Sequence, residues 1–371
     1  MSTIPCIHID QPQWHSLHVS ADECNIAISL NNGQTFCWYN IDNQYHGVIQ
    51  STVYAIREYN KAVQYAILYS ADTSIDHYQV LIDYFNLQLP FHISALYKQW
   101  SVADNRFDKI ASLLPGIRLL QQHPLECTMS FICSSNNNIV RIKQMIYKLR
   151  QHYGTPLCTV QYNNQLHTYY IFPTLQQLSN ATESQLRVLG FGYRAKFICA
   201  STETLIKLGG VNYLNELKHS DISTAECESS LESNLTGVGR KVASCIALFS
   251  LNRYDSVPVD THVYDIAVRD YDIKPINTKS KSINKSIYAQ IQECFRMRFG
   301  EHCGWAHSIL FTAELKLFRD ELPQLQSNKR SRDTLKLQHN IDTVTIIKQY
   351  KQNKTLHYNA TDIIKTELQT D

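Results

Sequence analysis

Two glycines, Gly237 and Gly239, stand directly before an almost entirely apolar segment, residues 242–248, and constrain the fold more than any other feature. Glycine accepts positive φ and lets another backbone approach closely, so the pair predicts a tight hairpin between two helices. The amides that enter the second helix would face outward. Unpaired N–H groups at the positive end of a helix dipole bind phosphate oxygens, which predicts a phosphate site here. On its own, a Gly-Val-Gly turn is equally typical of a purely structural connection.

Lys241 lies in the first turn of this predicted apolar helix. A lysine in such surroundings either extends its ammonium group to solvent or is held there to react. A free lysine has a pKa of about 10.4, so a reacting amine needs surroundings that favour its neutral form, as burial and a helix N-terminus do. Attack of the amine on a sugar C1′ would expel a base and leave a Schiff base. We therefore predict that Lys241 is a nucleophile.

Three further side chains follow Lys241 at informative spacings. Taken alone, Asp260 is favoured as the cap of the helix that follows, but it is also suited to stabilise positive charge on a sugar and to assist proton transfer; the two roles are compatible. His262 is either a phosphate donor or an ordinary polar surface residue. Cys245 lies one helical turn after Lys241, where its thiol would pack against a flat base or in the core.

Composition narrows the class of protein without identifying it. The 371 residues are 44% hydrophobic and 18% charged, with 12 Gly and 10 Pro, which excludes collagen-like, low-complexity and wholly disordered chains. No apolar run approaches the roughly 20 residues of a membrane helix, and the first residues show no signal or transit pattern. The 11 Cys form no Cys-x-x-Cys pair, which is typical of reduced, buried thiols. A net charge of +2 does not predict a strongly basic surface for nucleic acid. Any contacts with nucleic acid must therefore be argued from local features of the chain.

The hydrophobic pattern predicts an α+β fold, in which an N-terminal antiparallel β-sheet domain precedes two mostly α-helical subdomains. Segments rich in Ile, Val, Tyr and Thr and separated by Asn/Gly-rich turns are typical of strands. The predicted strands are residues 24–30, 34–40, 46–59 and 63–70. After residues 83–85 the apolar positions recur every three or four residues, which predicts helices to about Asp320.

We predict three parts in the chain. Residues 1–115 form the sheet domain with its closing helices, and residues 116–322 form the helical region, whose last helices at 286–320 pack back to complete a pocket. An acidic stretch, residues 218–234, is predicted to be an exposed loop that runs into a helix. Residues 323–371 form a basic, flexible tail, in which a cluster that could direct nuclear import comprises Lys329, Arg330, Arg332 and Lys336.

Several separate blocks resemble the helix-hairpin-helix DNA glycosylase superfamily, and within it the eukaryotic-type 8-oxoguanine DNA glycosylases. The blocks occur in the family's order between about Leu30 and Asp320, which makes them far more specific than the hairpin alone. Besides the hairpin they are residues 32–38 (NGQTFCW), 131–139 (FICSSNNNI), 189–196 (LGFGYRAK), 257–262 (VPVDTH) and 304–311 (GWAHSILF).

The resemblance implies a bifunctional DNA glycosylase and lyase that bends DNA and flips the damaged nucleotide out of the stack, because C1′ cannot be reached inside a duplex. Lys241 would be the nucleophile and Asp260 its catalytic partner, with strand cleavage by β-elimination after the Schiff base forms. Asn136 would contact the orphaned cytosine with Arg194 and Arg141. The other expected DNA-binding residues are Tyr193 as a wedge in the stack, Gly237, Gly239, Val242 and His262.

Base recognition is also implied by the resemblance. 8-Oxoguanine carries an N7–H donor that guanine lacks, so one acceptor in a dry pocket discriminates the two. The family's acceptor is the main-chain carbonyl at the position of Gly33, and Cys245 and Phe311 would sandwich the base. His307 stands where the family usually has a glutamine to read the Watson–Crick edge, which leaves the lesion spectrum open. Thr236 stands where a proline commonly precedes the hairpin, a change expected to loosen the turn.

The expected partner is double-stranded DNA that contains oxidised guanine, bound by a monomer in the nucleus, with the mitochondrion as a second compartment and no membrane contact. No cofactor or metal is expected, because only Cys294 and Cys303 follow the catalytic region, whereas iron–sulfur relatives carry four closely spaced cysteines there. Lys241 argues against alkyl-base glycosylases, which lack it. Two alternatives stay open: a glycosylase for another damaged base, and a non-catalytic hairpin module that binds DNA.

Overall fold

A computed structural model describes residues 4–274 and 283–319. The chain divides into two compact units, Met1–Phe311 and Thr312–Asp371. In the second unit, the described residues are 312–319, and the predicted basic tail with its import cluster lies outside them. Among the described residues, no helix has the length and apolar character needed to cross a membrane.

Among the described residues of the first unit, eight strands build two sheets. They are β1 (Cys6–His8), β2 (His15–Ser20), β3 (Trp38–Ile41), β4 (Gln44–Ile49), β5 (Thr52–Tyr59), β6 (Ala62–Ser70), β7 (Pro156–Tyr162) and β8 (Gln165–Tyr170). An antiparallel sheet of five strands has the order β2-β6-β5-β4-β3, and a second sheet has the order β1-β7-β8 with β1 parallel to β7.

Three of the predicted strands differ from the structure, and in one of them, residues 34–40, only residues 38–40 are strand, in β3. Residues 24–30 contain a short helix, α1 (Ile26–Ser29), because the Asn25 side chain caps it by accepting a hydrogen bond from the Ile28 amide at 3.0 Å. Its two isoleucines are buried, so the Ile-x-Ile spacing that suggested a strand reflects burial. Residues 46–59 are two strands, since Gln50 has φ 53° and turns the chain into a hairpin between β4 and β5.

The β7–β8 hairpin was not predicted, because it interrupts a region of helical spacing. It turns at Asn163 and Asn164, which have φ values of 47° and 61°. Apolar side chains of this hairpin pack against β4, β5 and β6 in one buried cluster that includes Val53, Ala66 and Val160. The second sheet therefore covers one face of the first, as in other face-to-face sheet packings.

Helices make up most of the rest of the described chain, and the predicted α+β class is confirmed. They are α2 (His77–Tyr84), α3 (Ile93–Ala103), α4 (Asn105–Ala111), α5 (Pro124–Cys133), α6 (Ile139–Tyr153), α7 (Leu175–Leu178), α8 (Glu183–Val188), α9 (Arg194–Lys207), α10 (Val211–His219), α11 (Thr224–Asn234), α12 (Arg240–Ser250), α13 (Thr261–Asp270), α14 (Lys285–Phe299), α15 (Cys303–Glu314) and α16 (Lys316–Arg319). The acidic stretch completes α10, forms a short loop at residues 220–223 and continues as α11, which Ser223 and Glu226 begin with a capping box.

An extended segment, residues 118–122, ties the loop after α1 to the end of α12. The Gln34 side chain donates to the Arg118 carbonyl at 2.8 Å and accepts from the Leu120 amide at 2.9 Å. The Gln122 amide donates to the carbonyl of Phe249, near the end of α12, at 3.0 Å. Two stretches of chain more than 200 residues apart are thereby fixed relative to each other.

Candidate active site

The predicted helix hairpin lies between α11 and α12, and its two glycines have different conformations and surroundings. Gly237 has φ +82°, and a Cβ there would lie 2.5 Å from the ring of Phe197, so both its conformation and its surroundings demand glycine. Gly239 has φ −93°, a conformation that any residue adopts. The prediction that this position needs glycine for a positive φ is therefore wrong. A Cβ at Gly239 would meet only open space. The amides at the start of α12 have no side-chain cap, as the predicted phosphate site needs.

Asp260 caps α13, which confirms one of the two roles predicted for it. Its Oδ1 accepts hydrogen bonds from the amides of His262 at 2.9 Å and Val263 at 3.0 Å. Two backbone bonds to one oxygen fix the carboxylate relative to the helix. The second role, at the reacting sugar, needs the carboxylate to face the nucleophile.

One pocket brings together the two predicted catalytic residues and the four predicted base-recognition residues. Its empty volume is about 390 Å³ with the mouth included. The predicted residues that line it are Lys241, Asp260, Gly33, Cys245, His307 and Phe311, and the lining is completed by Asn32, Gln34, Phe131, Phe249, Pro258 and Ser308. Sequence reasoning gave no role to this second group, although Phe131 opens the asparagine-rich block and Pro258 belongs to the block that contains Asp260.

Lys241 projects towards an aromatic wall of the pocket. Its Nζ lies 5.4 Å from the centre of the Phe131 ring, and Phe131 stacks on Phe249 with ring centres 5.5 Å apart. Burial raises the pKa of the Cys245 thiol to about 11, and the nearby Lys241 charge only partly opposes this. Cys245 is therefore a neutral packing surface beside the amine.

His307 is the most unusual side chain in the pocket. It is 4% exposed and stacks on Phe311, with ring centres 6.1 Å apart and planes at 21°. Burial lowers its pKa to about 4, although the Asp260 charge and the backbone near Gly304 and Pro258 oppose the shift. Within the described residues neither ring nitrogen has a hydrogen-bond partner of good geometry. A neutral imidazole, with one donor and one acceptor nitrogen, thus lines the pocket.

Gly33 adopts φ +87°, and a Cβ there would lie 3.0 Å from the Cδ1 atom of Ile139. Both facts favour glycine, and Ile139 begins α6 directly after the asparagine-rich block. The Gln34 bonds described above hold this loop from its other side. Gly33 is therefore more than an ordinary surface-turn glycine, because its conformation brings the loop against the pocket.

The predicted cytosine-reading residues form a second cluster. Arg194 donates from Nε to the Ser135 carbonyl at 3.0 Å and from Nη2 to the Asn136 carbonyl at 2.8 Å, and it is 3% exposed. The Tyr193 hydroxyl donates to the same Ser135 carbonyl at 3.0 Å. Arg141 is exposed and donates to the Gly190 carbonyl at 3.2 Å. Arg194 thus holds the loop of Asn136, while Arg141 and the half-exposed Tyr193 face solvent.

The remaining predicted DNA-binding residues lie on the start of α12 and of α13. Val242 is buried on α12, so only its backbone amide is suited to a phosphate. His262 is exposed, and its ring meets the edge of Phe311 with centres 6.0 Å apart. Among residues 4–274 and 283–319, no group of three His, Cys, Asp or Glu side chains is placed to hold a metal ion.

Comparison with known proteins identifies the family. Residues 16–128 match the model described as 8-oxoguanine DNA glycosylase, N-terminal domain, and residues 129–288 match HhH-GPD superfamily base excision DNA repair protein. An N-glycosylase/DNA lyase of Arabidopsis thaliana is 35% identical over 312 residues, which cover 82% of this chain and 81% of that protein. The chain belongs to the 8-oxoguanine DNA glycosylase family.

Other members of the 8-oxoguanine DNA glycosylase family are similar over most of their length. An N-glycosylase/DNA lyase of Saccharomyces cerevisiae is 33% identical over 337 residues, which cover 82% of this chain and 86% of the yeast protein. The crystal structure of the Clostridium acetobutylicum 8-oxoguanine glycosylase/lyase, bound to double-stranded DNA with cytosine opposite 8-oxoguanine, superimposes with a TM-score of 0.66. The Clostridium chain is 27% identical to this one, and the match covers 78% of this chain and 91% of the Clostridium chain.

The pocket residues of this member of the 8-oxoguanine DNA glycosylase family fall in different parts of the two matched ranges or beyond them. Gly33 falls in the range of the first model, and Lys241 and Asp260 fall in the range of the second. His307 and Phe311 lie beyond both ranges. The resemblance inferred from the sequence blocks is confirmed, whereas the role of each side chain rests on the geometry described above.

Proposed function

We propose that this chain is a bifunctional DNA glycosylase and lyase that removes 8-oxoguanine opposite cytosine from double-stranded DNA. The observation that carries the proposal is the single pocket lined by Lys241, Asp260, Gly33, Cys245 and His307. An amine and a carboxylate meet there beside flat apolar surfaces suited to a flipped base. The named activities of the plant and yeast relatives and the DNA complex of the bacterial enzyme support the same reaction.

Base release follows from the placement of Lys241 and Asp260. The neutral amine of Lys241 donates its electron pair to C1′ as the C1′–N9 bond breaks, and that bond's electrons leave with the base, which takes up a proton. Positive charge develops on the sugar in the transition state. The Asp260 carboxylate, fixed by its two backbone hydrogen bonds, stabilises this charge without rearrangement.

Strand cleavage uses the same covalent bond. The attached nitrogen loses a proton and its electron pair forms the C=N bond as the C1′–O4′ bond opens; the bond's electrons stay on O4′, which takes up a proton to become a hydroxyl, and the Schiff base results. Removal of a C2′ proton then lets the C3′–O bond break, and the phosphate departs as the leaving group. Water hydrolyses the remaining Schiff base and regenerates the amine of Lys241. No step requires a cofactor.

Lesion choice is assigned to the loop of Gly33 and to the packing surfaces around it. The Gly33 carbonyl is proposed to accept the N7–H of 8-oxoguanine, whereas guanine would leave that acceptor unpaired in a dry pocket. The neutral Cys245 thiol and Phe311 would enclose the two faces of the base. His307 would meet the Watson–Crick edge with one donor and one acceptor, since its buried ring stays uncharged.

The decisive experiment is a panel of duplexes that varies both the lesion and the opposite base. Wild-type protein should release 8-oxoguanine opposite cytosine faster than any other pair, and borohydride should link protein to DNA. A Lys241→Gln protein should form no linked product. Preference for another lesion would contradict the narrow assignment, and binding without base release would favour the non-catalytic module.

We further propose that the protein acts as a monomer in the nucleus, with the mitochondrion as a second compartment. The basic cluster near the C-terminus supports nuclear import by its composition alone. A fluorescent fusion with this cluster changed to alanine should lose nuclear accumulation. Sedimentation of the purified protein should give the mass of one chain, 42.8 kDa.

A further inference from the structure

A buried polar network lies behind the pocket and uses side chains that neither the sequence analysis nor the reaction above assigns. Ser244 and Ser256 are completely buried, and Tyr288 is 5% exposed. Glu228 lies on α11 within the acidic stretch, and burial raises the pKa of its carboxyl group. Buried polar groups that bond to one another rigidify the segments that carry them.

Tyr288 occupies the central position, because its hydroxyl bonds to both catalytic segments. It accepts a hydrogen bond from the Val259 amide at 3.2 Å, and Val259 directly precedes Asp260. It also lies 2.9 Å from the Oγ of Ser244 on α12, three residues after Lys241. One hydroxyl on α14 thus joins the aspartate loop to the helix of the nucleophile.

The rest of the network holds the same loop at two earlier points. The Ser256 hydroxyl donates to the Glu228 carboxylate at 2.5 Å and lies 3.0 Å from the Ser244 carbonyl. Gln292, also on α14, donates from Nε2 to the Val257 carbonyl at 3.4 Å. The segment from Ser256 to Val259 is therefore bonded to α11, α12 and α14.

The two hydrogen bonds by which Asp260 caps α13 do not fix its distance from Lys241. They fix the carboxylate relative to α13, since both donors are amides of that helix. The distance between Asp260 and Lys241 depends on the position of the loop before Asp260 relative to α12. The Tyr288 hydroxyl links this loop directly to α12. A misplacement of about 1 Å in a reacting group lowers rates by about 10²-fold, so a weak bond at this point has a large effect.

We propose that Tyr288 is a positioning residue for catalysis, whose hydroxyl sets the separation of Asp260 and Lys241 by joining Val259 to Ser244. The proposal rests on the proposed roles of Lys241 and Asp260, but not on which base is removed. It therefore applies equally to the attack of Lys241 on an abasic sugar.

The test compares Tyr288→Phe with Tyr97→Phe in the full-length protein. Tyr97 is a matched control, because its buried hydroxyl also makes two hydrogen bonds, with the Leu114 carbonyl at 2.9 Å and the Ile117 amide at 3.3 Å, and it does not line the pocket. Single-turnover borohydride trapping on an abasic-site duplex reports attack by Lys241. Affinity for a tetrahydrofuran-site duplex reports DNA binding.

Tyr288→Phe should slow trapping about tenfold or more while the affinity for the tetrahydrofuran duplex stays within about twofold. Tyr97→Phe should lower thermal stability similarly but trap at the wild-type rate. Equal trapping rates in the two variants would overturn the proposal, as would a loss confined to DNA affinity. If Tyr288→Phe does not fold, Ser244→Ala removes the same hydrogen bond from the α12 side. The same slowing of trapping and the same unchanged DNA affinity are then expected of Ser244→Ala.

A double variant adds an internal check. Because Tyr288 and Ser244 act through one hydrogen bond, Tyr288→Phe with Ser244→Ala should trap no more slowly than the slower single variant. Losses that multiply would overturn the proposed link. Wild-type protein that traps abasic DNA but leaves 8-oxoguanine in place would refute the lesion assignment, while the comparison of variants would still decide the role of Tyr288.

Discussion

The Nζ atom of Lys241 lies 5.4 Å from the centre of the Phe131 ring. The face of an aromatic ring attracts a cation, so the ring favours a lysine directed into the pocket over one extended to solvent. Phe131 is itself held by stacking on Phe249 of α12. The aromatic pair thereby orients the amine that the proposed reaction requires.

Replacement of Asp260 should separate its structural role from its chemical one. Asp260→Asn keeps an oxygen that can accept from the His262 and Val263 amides, so unfolding free energy should change by less than about 1 kcal/mol. Without the negative charge, single-turnover base release should fall by about 10²-fold or more. Asp260→Ala should lose both functions and about 1 kcal/mol of stability. Base release by Asp260→Asn at the wild-type rate would contradict the proposed role.

The two hairpin glycines should respond differently to alanine. Gly237→Ala places a Cβ against Phe197 in a positive-φ conformation, and should destabilise the fold by about 1–3 kcal/mol in urea unfolding. Gly239→Ala meets open space in an ordinary conformation, so stability should change by no more than about 0.5 kcal/mol. Its added methyl group should instead weaken DNA binding by obstructing phosphate approach. Unchanged DNA affinity in Gly239→Ala would argue against the phosphate site.

His307→Gln should flatten the acid dependence of stability. The folded-state pKa of His307 is about 4, below the ordinary value of about 6.5, so the unfolded chain binds the proton first as the pH falls. Stability is then fully present above about pH 6.5 and is lost towards pH 4, by ~3 kcal/mol for this group.

Urea unfolding of wild type and His307→Gln at pH 7, 5.5 and 4.5 measures the difference. The variant should still lose some stability in acid, although less than the wild type, because burial also lowers the pKa of His46 to about 4. Parallel curves for the two proteins would mean that His307 does not stay neutral in the folded protein. The same variant, assayed on the duplex panel, tests whether His307 reads the base.

Asn136→Gly should reduce the preference for cytosine without unfolding the loop. Asn136 has φ 46°, which glycine adopts freely, and its backbone carbonyl can still accept from Arg194. Loss of the side-chain amide should lower the ratio of excision opposite cytosine to that opposite adenine by about tenfold, since one good base contact contributes about 1–3 kcal/mol. Asn136→Ala should show the same ratio with lower stability. An unchanged ratio would assign cytosine reading elsewhere.

Sequence alone determined the features that depend on neighbours in the chain. The hairpin before α12, the cap that Asp260 provides for α13 and the loop that leads into α11 all follow from bonds that span a few residues. Gly237 and Asp260 were recognisable because turns and caps demand particular residue types at fixed offsets. The order of the blocks also identified the family and, with it, the residues that line the pocket.

Tertiary structure decided which distant segments meet, because an apolar pattern shows that a residue is buried but not what it is buried against. It placed the β7–β8 hairpin on a sheet formed some hundred residues earlier. It also brought Phe131 to the nucleophile and the Tyr288 hydroxyl to Val259 and Ser244. No spacing within any one segment contains these contacts, since each is set by packing between elements far apart in the chain.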